Sequence, residues 1–213
     1  MAKAQRRYHH GDLRRALMDS ALAAVAEGGV GALSLREAAR RAGVSNAAPY
    51  HHFEGVHALA AALRDEGFAG LDEAMRQATE GIDDPGARMV ALGRAYVGFA
   101  VAHPAHYRLM FSGSPKDAAL AQASPDALPA FGRMLAQIRA MQAAGLAPGG
   151  GAAPLALLAW TSVHGLASLL IDGPLRAGLM GLEASALDAA LSKTLVDGFA
   201  AMARPRRPPA REG

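Results

Sequence analysis

The most informative pattern in this chain is LSLREAARRAGVSNAAPYHHF, residues Leu33–Phe53. Ser34 opens a Ser-x-x-Glu capping box, which predicts that a helix begins there, and Gly43 ends that helix after about two turns. Ser45 can cap a third, very short helix, which tolerates Pro49 only because the proline lies near its start. Two short helices joined by such a turn form a helix-turn-helix, whose second helix can enter the major groove of DNA. The pattern alone is moderately specific, since many helical proteins contain a similar corner.

A longer amphipathic helix is predicted immediately before this stretch. Its apolar residues recur at helical spacing, and Gly28 and Gly29 stop the run. They are Leu13, Leu17, Ala21, Ala24 and Val25. Together the three helices predict a small helix-turn-helix domain over 8–55. The polar segment 1–7 that precedes it is expected to be disordered.

The rest of the chain is also predicted to be helical. Apolar periodicity and Pro or Gly breaks place further helices at about 56–79, 85–103, 106–111, 130–144, 154–171 and 183–203. No segment alternates as a strand, so the predicted fold class is all-α with about nine helices. The helix over 56–79 joins the small domain to a larger helical domain, 56–203. We expect a mobile loop over 112–129 and a disordered Arg- and Pro-rich tail over 204–213.

The composition agrees with this fold class and argues against several others. Aromatic residues make up only 5% of the chain, and there is no Cys, which removes disulfides and thiolate chemistry and fits a cytoplasmic protein. Every apolar run approaching about 18 residues has a polar break, so no membrane span is expected. The charged N-terminus lacks the hydrophobic region of a signal peptide.

The net charge of +3 is unevenly distributed. Residues 1–55 carry eight basic and five acidic side chains, whereas residues 56–203 carry ten basic and thirteen acidic ones. The last ten residues carry four Arg and one Glu. A basic end on an acidic body suggests that this end meets a polyanion, although imbalances of this size also occur without such a binding partner.

The run YHHGDLRRALMDSALAAVAEGGVGALSLREAARRAGVSNAAPYHHF, which begins at Tyr8, resembles the N-terminal domain of the tetracycline-repressor (TetR) family of bacterial transcription regulators. The resemblance covers about residues 8–60. It implies a homodimer in which each subunit has a three-helix DNA-binding domain and a larger ligand-binding domain. A small-molecule effector would shift the spacing of the two recognition helices and release double-stranded operator DNA. In the cell such a protein is cytoplasmic, and nucleoid-associated when bound to DNA.

The resemblance also implies which residues contact DNA. They are Arg36, Ser45, Asn46, Ala47, Ala48, Tyr50, His51, His52 and, in place of a frequent Lys at Val56, His57. Arg36 could bond a phosphate or guanine, and Asn46 could bond adenine. The alternative for Tyr50 and Phe53 is core packing, which we favour for Phe53 and not for Tyr50. His52 could instead pack or cap.

Two further runs resemble a TetR subgroup with a Trp-His-Gly signature. One lies over 103–111, HPAHYRLMF, and the other runs from Trp160 through His164 to Gly165, which would permit a close helix approach. Candidate effector-pocket residues are Tyr107, Met110, Trp160 and His164. The alternative, which we favour, is that all four are core residues.

The last two helices carry apolar stripes that fit a dimer interface over about 154–172 and 183–203. One stripe comprises Leu155, Leu158, Ser162, Leu166 and Leu169, and the other Leu187, Leu191, Leu195, Phe199 and Met202. Two such helices from each subunit can form a four-helix bundle. The alternative is a core within one subunit, and the family resemblance favours the dimer.

The sequence gives little support to an enzyme. His103 and His106 have no acidic or Cys residue following at metal-ligand spacing, and the glycines over 149–151 lack the Lys-Ser/Thr of a phosphate loop. The acidic pairs at 65–66 and 72–73 are typical of a solvated helix surface. We therefore expect no catalytic residue, metal or cofactor. The alternatives to a repressor are a helical sensor or interaction protein without operator binding and, more remotely, a small-molecule-binding enzyme.

Overall fold

A computed structural model of the chain describes residues 10–112, 129–173 and 184–203, which are helical and contain no strand. This confirms the all-α prediction. The helices are α1 His10–Gly28, α2 Leu35–Ala42, α3 Val56–Thr79, α4 Pro85–Ala102, α5 Pro104–Phe111, α6 Pro129–Ala143, α7 Ala152–Ile171, α8 Ala184–Leu191 and α9 Gly198–Ala203. Short 3-10 helices lie at Val30–Ala32 and Ala48–His51, and a π-helical segment at Ser192–Asp197. The predictions for 1–7, 113–128 and 204–213 fall outside the described residues.

Helix α2 begins and ends as its sequence predicts. The Ser34 hydroxyl accepts a hydrogen bond from the backbone N–H of Glu37 at 3.0 Å, which confirms the cap. Gly43 adopts φ 69°, a left-handed conformation that favours glycine. The N–H of Val44 then donates to the carbonyl of Ala39 at 3.0 Å, as in a Schellman motif.

The third helix begins later than predicted and is of a different type. It is a 3-10 helix over Ala48–His51, and Ala47, not Ser45, is its N-cap residue, without a side-chain cap. Pro49 has no N–H, so it cannot make the bond to the Ser45 carbonyl that an α-helix would require. The N–H of Ala48 instead donates to that carbonyl at 3.0 Å. The prediction that Ser45 caps this helix is therefore wrong.

The described chain divides into two compact units. The first contains residues 10–69 and 103–112, and the second contains 70–102, 129–173 and 184–203. The first unit extends beyond the expected 8–55 domain because side chains of α3 and α5 complete its core. That core includes Leu17, Met18, Ala21, Val25, Leu35, Ala38, Phe53, Leu59, Leu63, Ala105 and Leu109.

Helices α4, α6 and α7 form the centre of the second unit. The Asp84 carboxylate caps α4 by accepting a hydrogen bond from the N–H of Ala87 at 2.6 Å. Buried side chains of this unit include Met89, Leu92, Tyr96, Met134, Ile138, Ala159 and Val163. The bounds of α4 agree with the predicted 85–103, since the chain restarts as α5 at Pro104.

The C-terminal stripe lies mainly inside the second unit. Leu191, Leu195 and Phe199 are each at most 4% exposed, and a Cβ added at Gly93 of α4 would lie 3.2 Å from Leu191. The expectation that these three residues form the dimer interface is therefore wrong, and the alternative of an internal core is correct for them. Met202 is exposed, and the side chain of Leu187 lies outside the described set.

Helix α7 is apolar on its outer side as well as its inner side. Leu158 and Leu169 are 46% and 43% exposed, and a Cβ added at Gly165 would have no neighbour within 4 Å. The helix approach predicted at Gly165 is thus not made by any described part of this chain. By length and composition α7 could cross a membrane, but core helices of soluble proteins pass the same test. Its sequence is also interrupted by Thr161, Ser162, His164 and Ser168.

Candidate nucleic-acid interface

The three arginines of α2 differ in their partners. Arg40 donates to Glu37 at 2.7 and 2.8 Å, and Arg41 is bonded to both Glu37 and Glu27. These bonds lower the pKa of Glu37 to about 2, because Arg40 and Arg41 stabilise its charged form. Arg36 is exposed and has no hydrogen-bond or ion-pair partner among the described residues. It is therefore the α2 arginine whose guanidinium remains available to another molecule.

The segment after the turn presents small and polar side chains to solvent. Ser45, Asn46 and Ala47 are exposed, Ala48 is half-buried, and His51 is exposed. Short side chains let a backbone approach the floor of a groove, and an amide such as that of Asn46 can bond a base edge. This part of the chain therefore has the chemistry of a recognition element, although only Ala48–His51 within it are helical, as a 3-10 helix.

Phe53 and Tyr50 differ sharply in burial. Phe53 is 4% exposed and packs in the core, with the Arg14 guanidinium 5.3 Å from its ring centroid. Tyr50 is 64% exposed, so the core-packing alternative for it is wrong. His52 is half-buried and makes contacts within the chain.

A carboxylate and an imidazole lie at the start of α3. Glu54 precedes the helix and is exposed, and His57, its second residue, is exposed as well. Glu54 would repel a phosphate, whereas the free N–H groups of the helix start attract one. The predicted His57 contact is therefore sterically open.

Glu66 connects three helices of the first unit. One of its oxygens accepts from Arg15 of α1 at 2.5 Å, and the other lies 2.9 Å from Nε2 of His106 in α5. Sequence reasoning placed Glu66 on a solvated surface and missed this cluster. No local signal could have revealed it, because its partners lie 51 and 40 residues away.

The second unit holds the Trp160–His164 pair in an aromatic cluster. The Tyr96 hydroxyl and His164 Nδ1 are 2.9 Å apart, and the Tyr96 and Trp160 ring centroids are 5.0 Å apart, edge to face. Phe131 packs on the other side of Trp160, with centroids 5.6 Å apart. Burial lowers the pKa of His164, since it disfavours the charged imidazole. The pair thus has packing roles, which supports the structural alternative.

Tyr107 and Met110 lie in the other unit. Both are buried in α5; Tyr107 packs against Phe111, and a Cβ added at Gly67 of α3 would clash with Met110. The four candidate pocket residues are therefore divided between two compact units. Among described residues, no group of three His, Asp or Glu side chains is arranged to hold a metal.

These observations define the class of the protein. A first unit built around a helix-turn-helix presents small polar side chains and an arginine, Arg36, that no described residue pairs with, and a second unit consists of packed helices. This is the architecture of a DNA-binding regulator with a separate helical domain.

Comparison with known proteins places the chain more narrowly. The family model of bacterial regulatory proteins, tetR family, matches residues 17–63, and the model of the tetracyclin repressor-like, C-terminal domain matches residues 89–204. The chain belongs to the TetR family. It is a transcriptional regulator with an N-terminal DNA-binding domain and a C-terminal ligand-binding domain. Members of this family are regulators, not enzymes.

Solved structures agree with this assignment. A protein of unknown function from a Rhodococcus species is 36% identical to this chain, with a TM-score of 0.73 over 92% of this chain and 100% of that one. The TetR family transcriptional regulator PfmR from Thermus thermophilus is 20% identical, with a TM-score of 0.66 over 85% and 97%. The fatty acid degradation regulator FadR from Bacillus halodurans is 14% identical, with a TM-score of 0.71 over 90% and 98%. At these lower identities the likeness to the last two shows the fold alone.

Proposed function

We propose that this protein is a homodimeric repressor that binds operator DNA in the cytoplasm and releases it when a small molecule binds the second unit. The observation that carries the proposal is the exposed Arg36 near the start of α2, which has no hydrogen-bond or ion-pair partner among the described residues. A guanidinium without an internal partner is free to bond phosphate or guanine without first breaking an ion pair.

The remaining DNA contacts follow from exposure and chemistry. Tyr50 and His51 carry hydrogen-bonding groups at exposed positions, and Ala47 can meet a thymine methyl. Ala48 and His52 flank them, and the exposed His57 at the start of α3 would bond a phosphate. His57→Ala should then weaken operator binding, and unchanged affinity in this variant would exclude the contact.

The proposed dimer interface centres on the outer face of α7. Leu158 and Leu169 leave apolar surface uncovered, and the absence of a Cβ at Gly165 leaves room for a helix of a second copy. In α9 the exposed Met202 extends the apolar surface of the C-terminal helices. The proposed interface thus keeps the α7 region of the sequence prediction and omits the internal part of the C-terminal stripe.

We propose that the effector site is centred on Trp160 and His164. We also propose that the chain belongs to the TetR subgroup with a Trp-His-Gly signature. The Tyr96–His164 hydrogen bond could be exchanged for one to a polar ligand, and the surrounding rings could contact its apolar part. Tyr107 and Met110 lie in the first unit and are not part of this cluster. The chain has a single Trp, so a change in its fluorescence reports events at Trp160 directly.

The experiment is a mobility-shift assay with the DNA upstream of the protein's own coding region. We expect sequence-specific binding that weakens steeply with salt, and a footprint with two half-sites. A folded dimer that binds this DNA no better than a scrambled duplex would instead favour a sensor or interaction protein. Higher expression from the same promoter in the presence of the protein would exclude repression.

A further inference from the structure

A groove of about 390 Å³ opens on the second unit, between the end of α3 and helices α4 and α6. Its size is within the range of small-ligand sites. It is lined by Thr79, Glu80, Gly81, Arg88, Leu92, Arg133, Ala136, Gln137 and Ala140. None of these residues belongs to the Trp160–His164 cluster, so the groove is a separate feature of this unit.

Arg88 is the residue whose charge is not balanced in this groove. Its Nε donates to the backbone carbonyl of Ile82 at 2.8 Å, and its Nη2 donates to the same carbonyl. It is half-buried and has no carboxylate partner among the described residues. Both bonds go to one neutral acceptor, so they hold the guanidinium in place without neutralising it, and Nη1 makes no hydrogen bond to a described residue.

The second arginine of the groove is paired: Arg133 donates to both oxygens of Asp72, at 2.5 and 2.9 Å. Glu80 lies 3.6 Å from Arg76, which is also ion-paired with Glu73, so Glu80 keeps part of its negative charge. Arg88 is thus the lining cation without a carboxylate partner among the described residues, and one such cation matches a monoanion better than a dianion. Glu80 further opposes a doubly charged ligand such as phosphate.

Part of the groove wall is apolar. Leu92 is on α4, and Ala136 and Ala140 are one turn apart on α6, so they form a short hydrocarbon surface beside Arg88. A ligand with a charged head and a short apolar body would satisfy both surfaces. Neither an inorganic anion nor an uncharged hydrocarbon would do so.

We propose that this groove binds a small carboxylic acid, with Arg88 holding the carboxylate and Leu92 and Ala136 contacting the hydrocarbon part. The proposal does not depend on operator binding, because occupancy is measured on the full chain without DNA. It adds a ligand class, a monocarboxylate with a short chain, to the ligand-binding domain.

The test uses sodium hexanoate as the probe, with isothermal titration calorimetry of the full chain. We expect saturable binding, and an Arg88→Gln variant should weaken it about tenfold or more because a charge-assisted bond is lost. Arg139→Gln is the matched control, since Arg139 is an exposed arginine on the same helix as Ala136 and does not line this groove. It should bind hexanoate as the unmodified protein does.

Arg88 also bonds the backbone carbonyl of Ile82, so substituting it can disturb the local fold. A second variant is therefore included. Ala136→Leu leaves that bond intact and fills the apolar side of the groove, so it should also abolish hexanoate binding while circular dichroism stays unchanged. Unaltered affinity in Ala136→Leu or in a folded Arg88→Gln variant would overturn the proposal. It would be overturned equally by hexan-1-ol or inorganic phosphate binding as tightly as hexanoate, or by the absence of hexanoate binding.

Discussion

Nε2 of His106 lies 2.9 Å from one carboxylate oxygen of Glu66, while the other oxygen accepts from Arg15 at 2.5 Å. The carboxylate of α3 thus ties α1 of the helix-turn-helix unit to α5. Burial would raise the pKa of Glu66, but the hydrogen bonds from Arg15 and His106 outweigh it and lower that pKa. Charge at this position therefore contributes to the integrity of the DNA-binding unit.

Removing that charge should destabilise the protein in a pH-dependent way. Glu66→Gln is expected to lower the free energy of unfolding by about 1 kcal/mol at neutral pH, since water screens this partly exposed cluster. Because the pKa of Glu66 is lowered on folding, its contribution is complete above its ordinary value of 4.5 and is lost as pH falls through the folded-state value. Urea denaturation at neutral and acidic pH should show the two proteins converging in acid.

Glu73→Gln is the matched control, because Glu73 is also ion-paired on α3, but its ion pair with Arg76 and its hydrogen bond from Gln77 both lie within the same helix. Glu73→Gln should lower the free energy of unfolding by less than Glu66→Gln does. An equal loss in the two variants would mean that the bonds from Glu66 to α1 and α5 add nothing.

Arg36→Ala should reduce operator affinity about tenfold or more without affecting the dimer. The neighbouring Arg40→Ala is the control, since Arg40 is occupied by Glu37. Fluorescence anisotropy with labelled operator measures both, and sedimentation checks the oligomeric state. If Arg36 bonds a phosphate, the salt slope falls by about one unit; if it reads guanine, specificity at one base pair is relaxed. An equal loss of operator affinity in Arg36→Ala and Arg40→Ala would argue against a DNA contact specific to Arg36.

Two serines of the helix-turn-helix should respond differently to truncation. Ser34→Ala removes the cap of α2 and should cost about 1 kcal/mol of stability. Ser45→Ala should leave stability nearly unchanged, because Ser45 caps no helix, yet it should alter DNA affinity. Thermal unfolding and anisotropy separate the two effects. A large stability loss in Ser45→Ala would show that its side chain supports the turn.

The half-buried imidazole of His164 should make the free energy of unfolding fall with acidification. Burial lowers the pKa of His164, so near and below its ordinary value of 6.5 the unfolded chain takes up a proton that the folded protein does not. The free energy of unfolding should therefore decrease between about pH 7.5 and 5.5. His164→Gln should show a shallower decrease, whereas His51→Gln controls for loss of an exposed imidazole. Identical slopes in His164→Gln and the unmodified protein would contradict this account.

The outer face of α7 should control assembly. Leu158→Glu is expected to yield monomers, because a carboxylate would be buried without a counter-ion in the proposed interface. Val101→Glu, at an exposed apolar position of α4, should leave the dimer intact. Analytical ultracentrifugation distinguishes the two. A dimeric Leu158→Glu protein would place the interface elsewhere.

Local signals were sufficient for much of the fold. The bounds of α3, the Ser34 cap and the Gly43 turn follow from residues a few positions apart, because helix initiation and termination depend on nearby backbone groups. The spacing through Tyr50 and Phe53 was likewise enough to indicate the family. Arg36 could be proposed as a DNA contact from the same spacing.

Tertiary packing determined what local patterns left open. A stripe such as Leu191, Leu195 and Phe199 is apolar whether it faces its own subunit or a second one, and only the position of α4 made it internal. The link from Glu66 to Arg15 and His106 required the folding of distant segments against one another. Periodicity specifies which face of a helix is apolar, but the partner of that face depends on contacts far apart in sequence.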